Sequence, residues 1–201
     1  MAKRVTCHFE GKAMNRSQRS TSARLRVISK KEIPIALYGQ LRRPLQRLFI
    51  VTPFLEDYEF FGKGPLSRFI SKHISEGTEI TMLTMPPEGT NGTKKAFTRK
   101  YILMRLLASQ GVKVQFNHKL HAKVFLFDES EITKACILGS ANLTARAMNE
   151  LLEIAIFTYN REVFNRVLST ICQFQNDSDT MSFMKWKQKN TAKIKEIMEV
   201  D

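Results

Sequence analysis

His121 and Lys123 stand two positions apart in HAKVFLFD (121–128), an otherwise apolar run, and Ser140 and Asn142 repeat that spacing in GSAN (139–142). In a strand, residues i and i+2 point to the same side, so each pair is expected to share a face. Phe125 and Phe127 continue the first face, and Asp128 falls on the other. A lysine among apolar neighbours is costly to desolvate unless its charge meets an anion, and few acids flank Lys123. An anionic ligand is therefore the expected partner. Histidine changes charge near neutral pH, so the neutral ring serves as a nucleophile and the protonated ring as an acid. The Ser hydroxyl and Asn amide supply neutral donors, and Gly139 lets backbone and ligand approach closely. Singly these residues are weak signals, since a lone His is more often structural and GSAN is ordinary turn composition. Together, on adjacent strand ends, they fit the handling of a phosphate.

The elements that must carry them follow from the apolar pattern. LFIVTPF (48–54) reads as a buried strand, PLSRFISKHISEG as a helix ending at Gly77, and EITMLT as the next strand. PPEGTNGTKK (86–95) has loop composition, AFTRKYILMRLLASQG is a helix closing on Gly111, and VKVQF is a third strand. Strand, helix, strand, helix, strand implies parallel pairing. HAKVFLFD and KACILG are joined by only ESEIT, too short for a crossover, so they are expected to form an antiparallel hairpin. LTARAMNELL (143–152) reads as a short helix, EIAIFT (153–158) as a strand, and REVFNRVLSTICQF (161–174) as a helix. The fold class is α/β, a mixed β-sheet covered by helices on both faces. Residues 1–46 read as a basic N-terminal arm, 47–175 as the catalytic domain, and 176–201 as a polar, Lys-rich tail for which an amphipathic helix is the expected form.

The chain has 201 residues, a net charge of +13 and three cysteines. That length buries a core without disulfides or a structural metal. Cys7, Cys136 and Cys172 lack ligand spacing, and Cys136 reads as a core residue. His118 and His121 form H-x-x-H, but on a strand that spacing puts them on opposite faces, against a zinc site. No metal and no cofactor is expected. His8 and His73 read as solvated. No apolar run approaches a membrane span and no secretory signal is evident, so a cytoplasmic protein without a membrane partner is expected. The Arg- and Ser-rich first 26 residues also have the composition of an organelle transit peptide, and a basic arm is preferred to it. Residues 1–47 hold twelve Lys and Arg against Glu10 and Glu32. Such asymmetry suits a polyanion binder, with a solvated arm for solubility or a protein partner as the competing reading. Lys94, Lys95, Arg99, Lys100, Arg146, Arg24 and Arg26 are the expected nucleic-acid contacts.

The sequence resembles the phospholipase D superfamily, whose signature H-x-K-x4-D followed by G-S-x-N is matched by His121, Lys123, Asp128, Gly139, Ser140 and Asn142. The family's later Glu matches Glu153, with Glu150 as the rival, and the likeness covers roughly 47–174. The resemblance implies an α-β-α sandwich and two-step phosphodiester transfer without a metal. One His attacks phosphorus to form a phosphohistidine and a second protonates the leaving oxygen. Lys123 and Asn142 would neutralise the equatorial oxygens, Ser140 would support them, and Glu153 would orient an imidazole; Asp128 and Gly139 would be structural. The chemistry needs two histidines and the chain carries one H-x-K, as short members resembling dimeric nucleases do. The expected protein is a homodimeric, metal-independent endonuclease acting on nucleic acid, DNA ahead of RNA. The alternatives are a non-catalytic nucleic-acid-binding module of the same fold, or a lipid phosphodiesterase.

Overall fold

The computed structural model describes residues 25–58, 64–89 and 93–198. Its core element is β2 (Arg47–Val51), whose sequence RLFIV is buried on both faces and pairs in parallel with β3 (Glu79–Thr84), itself parallel to β4 (Lys113–Phe116). The crossovers are α2 (Leu66–Ser75) and α3 (Lys94–Ser109). Thr93 caps α3 by accepting from the Ala96 N–H at 3.2 Å. Gly77 and Gly111, with φ of +85° and +102°, end these two helices in the left-handed conformation that glycine adopts without strain.

Antiparallel strands complete the sheet. The hairpin of β5 (Val124–Asp128) and β6 (Lys134–Gly139) pairs β5 against β2; β7 (Ile154–Thr158) then adds to β6 and β1 (Arg26–Ser29) to β7. At the other edge β8 (Met181–Ser182) pairs with β4, giving the order β1-β7-β6-β5-β2-β3-β4-β8. Residue parity divides the core. Leu48, Ile50, Phe125, Phe127 and Ile137 face α1 (Glu32–Leu41), α2, α3, the short α4 (Ala145–Asn149), α6 (Phe183–Lys189) and α7 (Thr191–Met198). Phe49, Val51, Leu126 and Cys136 face Phe164 and Ile171 of α5 (Arg161–Asn176). The sheet is mixed, with helices on both faces, and Cys136 is a core residue whose thiol is pushed up to about 12 by burial.

Three readings of the sequence change here. The folded part begins before residue 47: β1 pairs with β7, and Ile33, Leu37 and Leu41 of α1 join the core. Arm-like charge hid these apolar positions; residues 1–24, including Cys7, His8 and Arg24, lie outside the described residues. The tail packs on the fold, with Trp186 only 1% exposed against Phe97, Tyr101, Phe116 and Phe183. His73, expected in solvent, is buried, its Nε2 2.7 Å from the Leu41 carbonyl and its Nδ1 3.4 Å from the Thr78 hydroxyl. α1 covers this ring, a long-range contact that helix periodicity does not report.

Candidate active site

Three neighbouring strands bring the predicted residues to one end of the sheet. Because β6 runs against both β5 and β7, the residues before Val124, after Leu138 and before Ile154 converge. The ladder runs past the strand ends: Gly139 N–H donates to the Lys123 carbonyl at 3.2 Å, and Ser140 N–H to that of Ile154 at 3.0 Å. His121 and Lys123 therefore sit in the segment leading into β5, not within the strand as the apolar pattern suggested. They are still neighbours. Lys123 Nζ lies 3.2 Å from His121 Nε2 and donates to the His121 carbonyl at 2.8 Å. Partial burial pulls the Lys123 ammonium below the usual lysine range, and the nearby Glu153 carboxylate opposes that shift.

Ser140 ties the second part of the site together. Its hydroxyl donates to Glu153 Oε2 and receives the Ile154 N–H at 3.2 Å. Glu150, the rival, is turned away: just past α4, its carboxylate lies 3.9 Å from Arg146, and its carbonyl accepts from Lys30 Nζ at 2.8 Å. Gly139 has a packing reason, because a Cβ there would fall 2.5 Å from both Ala155 Cβ and the Ile154 carbonyl. Its lack of a side chain lets β7 approach closely enough to present Glu153.

Asn142 is held by a residue that sequence reading missed. Thr52, just after β2, places its hydroxyl 3.4 Å from Asn142 Oδ1 and donates to the Phe54 carbonyl at 2.8 Å. Leu143 N–H donates to that same carbonyl at 3.2 Å, and Glu56 N–H to the Leu143 carbonyl at 2.8 Å. The loop after β2 thus clamps the loop after β6. A Thr at the carboxyl end of the first parallel strand was the available signal, since open α/β sheets gather sites at that end.

The remaining motif residue, Asp128, is at the other end of β5. Its carboxylate is buried and paired with Arg47 Nη2 and Lys134 Nζ, each at 2.5 Å. Of the expected phosphate contacts, Lys94, Lys95 and Arg99 are exposed on the first turns of α3, and Arg146 is exposed on α4. Arg26 pairs with Glu32 at 3.3 Å, on the residue of β1 opposite Phe157 and thus away from the site end. Lys100 does not reach solvent: α3 turns it inward, where it is 4% exposed and bonded to the Pro53 carbonyl at 3.0 Å. Helix periodicity explains this, because Phe97, Tyr101 and Met104 lie on the same buried face. His118 and His121 belong to no candidate metal site; among the described residues no group of three or more His, Cys, Asp and Glu side chains is placed to hold one. Nor is any described helix long and apolar enough to cross a membrane.

An imidazole and an ammonium in contact, and a hydroxyl bonded to a carboxylate, thus stand with a carboxamide at one end of a mixed α/β sheet. The family model described as cardiolipin synthase, PLD-like domain matches residues 37–177, and the chain belongs to that phospholipase D-like family. No curated protein matches the sequence. The fold is similar to that of Nuc from Salmonella typhimurium, a phospholipase D family member, at a TM-score of 0.59 and 12% identity, covering 80% of this chain and 98% of that one. It is similar to NucT from Helicobacter pylori at 0.56 and 16%, covering 80% and 99%. Phosphatidylserine synthase from Haemophilus influenzae Rd KW20 gives 0.62 and 14%, with 91% of this chain covering 48% of that one.

Proposed function

We propose that this protein is a metal-independent phosphodiesterase that cleaves nucleic acid, DNA ahead of RNA, at a site completed by a second copy of the chain. The observation that carries the reading is the convergence of His121, Lys123, Ser140, Asn142 and Glu153 on one end of the sheet. In the first step a ring nitrogen of His121 attacks phosphorus. The N–P bond forms, the bond from phosphorus to the leaving oxygen breaks, and His121 of the partner subunit gives that oxygen a proton. In the second step water attacks phosphorus, the partner's His121 takes the water proton, and the N–P bond breaks. Lys123 and the free amide hydrogens of Asn142 stabilise charge on the non-bridging oxygens. Glu153, fixed by Ser140, stabilises an imidazolium.

Charge distribution favours a nucleic acid over a lipid headgroup. Residues 1–24 hold six Lys and Arg against Glu10, and phosphate neutralisation by such a segment releases counterions, whereas Arg26, Arg43 and Arg47 are already paired with carboxylates. The deciding experiment incubates wild type and His121→Ala with single- and double-stranded DNA and RNA in excess EDTA. Cleavage by wild type alone is expected. Strict dependence on added magnesium would sink the mechanism, binding without cleavage would favour a non-catalytic module, and turnover of phospholipid vesicles alone would move the substrate to lipid.

A further inference from the structure

Lys100 lies behind the candidate site, and its burial is expensive. It is 4% exposed, and desolvation pulls its ammonium from 10.5 to about 7, opposed only in part by Glu88. A methionine would fill similar volume at no such cost. Its hydrogen bond to the Pro53 carbonyl is not needed to satisfy that group, because the Thr84 hydroxyl already donates to it at 3.1 Å. What the lysine adds is a second, directional tether on one turn of chain, reinforced by its position 5.9 Å over the Phe54 ring.

That turn is the one that touches Asn142. Thr52 precedes Pro53 and meets the Asn142 carboxamide, and Phe54 follows it and accepts the Leu143 N–H. A slack turn would release both contacts, and small displacements of a charge-stabilising donor are costly in rate. We propose that Lys100 is a positioning residue: by holding the Pro53 carbonyl it fixes the 52–54 turn and, through Thr52 and Phe54, the carboxamide of Asn142. The effect on rate rests on the phosphodiesterase reading; the tether itself does not.

The test compares wild type, Lys100→Met, Lys100→Gln and His121→Ala. Amide hydrogen exchange at Leu143 is followed by NMR, urea unfolding is measured, and kcat and KM are obtained for bis(p-nitrophenyl) phosphate in EDTA. Lys100→Met is expected to fold with at least wild-type resistance to urea, since it removes a buried charge. Its Leu143 amide should nevertheless exchange about tenfold faster. Its kcat should fall about 10- to 100-fold with KM within about twofold, while Lys100→Gln, which keeps a donor, recovers part of the loss. A variant that is stable yet slow is not what a purely structural lysine predicts. Leu143 exchange unchanged in Lys100→Met overturns the tether. Unchanged kcat, with His121→Ala inactive, overturns its role in positioning. If wild type does not cleave, the phosphodiesterase reading fails and the exchange rates alone decide the tether.

Discussion

Asp128 closes the H-x-K-x4-D motif at the far end of the five-residue strand β5 from His121, about 13 Å from Val124 where that strand begins. Its spacing in the motif therefore reports strand length and anchoring, because Arg47 and Lys134 pin it to the start of β2 and of β6. Asp128→Asn should cost about 3 kcal/mol, since Lys134, with its side chain only 11% exposed, loses its counter-charge, and a drop in the urea midpoint checks it. Lys100 gives a pH signature. Between about 7 and 10.5 the unfolded chain holds a proton that the folded chain has released, so stability rises with pH across that window. Below about 7 both states are protonated and the burial penalty is complete. The stability advantage of Lys100→Met over wild type should therefore be largest near pH 6.5 and shrink toward pH 9.5; an advantage that grows with pH would contradict the burial.

At the scale of elements, the loops after β2 and β6 and the segments before β5 and β7 do the positioning, and helices on either face only support them. The tail is one such support. Trp186 of α6 packs on Tyr101 and Phe97 of α3, and its Nε1 donates to Glu88 at 2.9 Å. Trp186→Ala should cost about 3–5 kcal/mol, measured by circular dichroism during urea unfolding. Because the chain has one tryptophan, its fluorescence in wild type should follow the same transition. An earlier fluorescence change would mean that the tail undocks alone and that α6 is not part of the cooperative core.

At the scale of the whole molecule, the proposed chemistry assigns two histidine roles while this sequence carries one H-x-K, so under that proposal a second copy of the chain supplies the other role. A defined heterodimer with His121→Ala in a single subunit should lose nearly all turnover, because either role left empty stops the cycle. A heterodimer retaining about half of the wild-type rate would show that each subunit works alone.

The order of strands and helices between residues 47 and 174, the β5–β6 hairpin and the contact of His121 with Lys123 were legible in the sequence. All rest on local periodicity, turn length and spacing, which short-range sterics dictate. Four things were decided by tertiary contact. His121 and Lys123 precede β5 because the ladder with β2 begins at Val124. Glu153 and not Glu150 meets Ser140 because β7 approaches over Gly139. Thr52 holds Asn142 across ninety residues of sequence. Lys100 meets the Pro53 carbonyl because α3 lies over the turn that follows β2. Each depends on which strand lies beside which, and a pattern with a period of two or 3.6 residues contains the face of an element but not the identity of its neighbour.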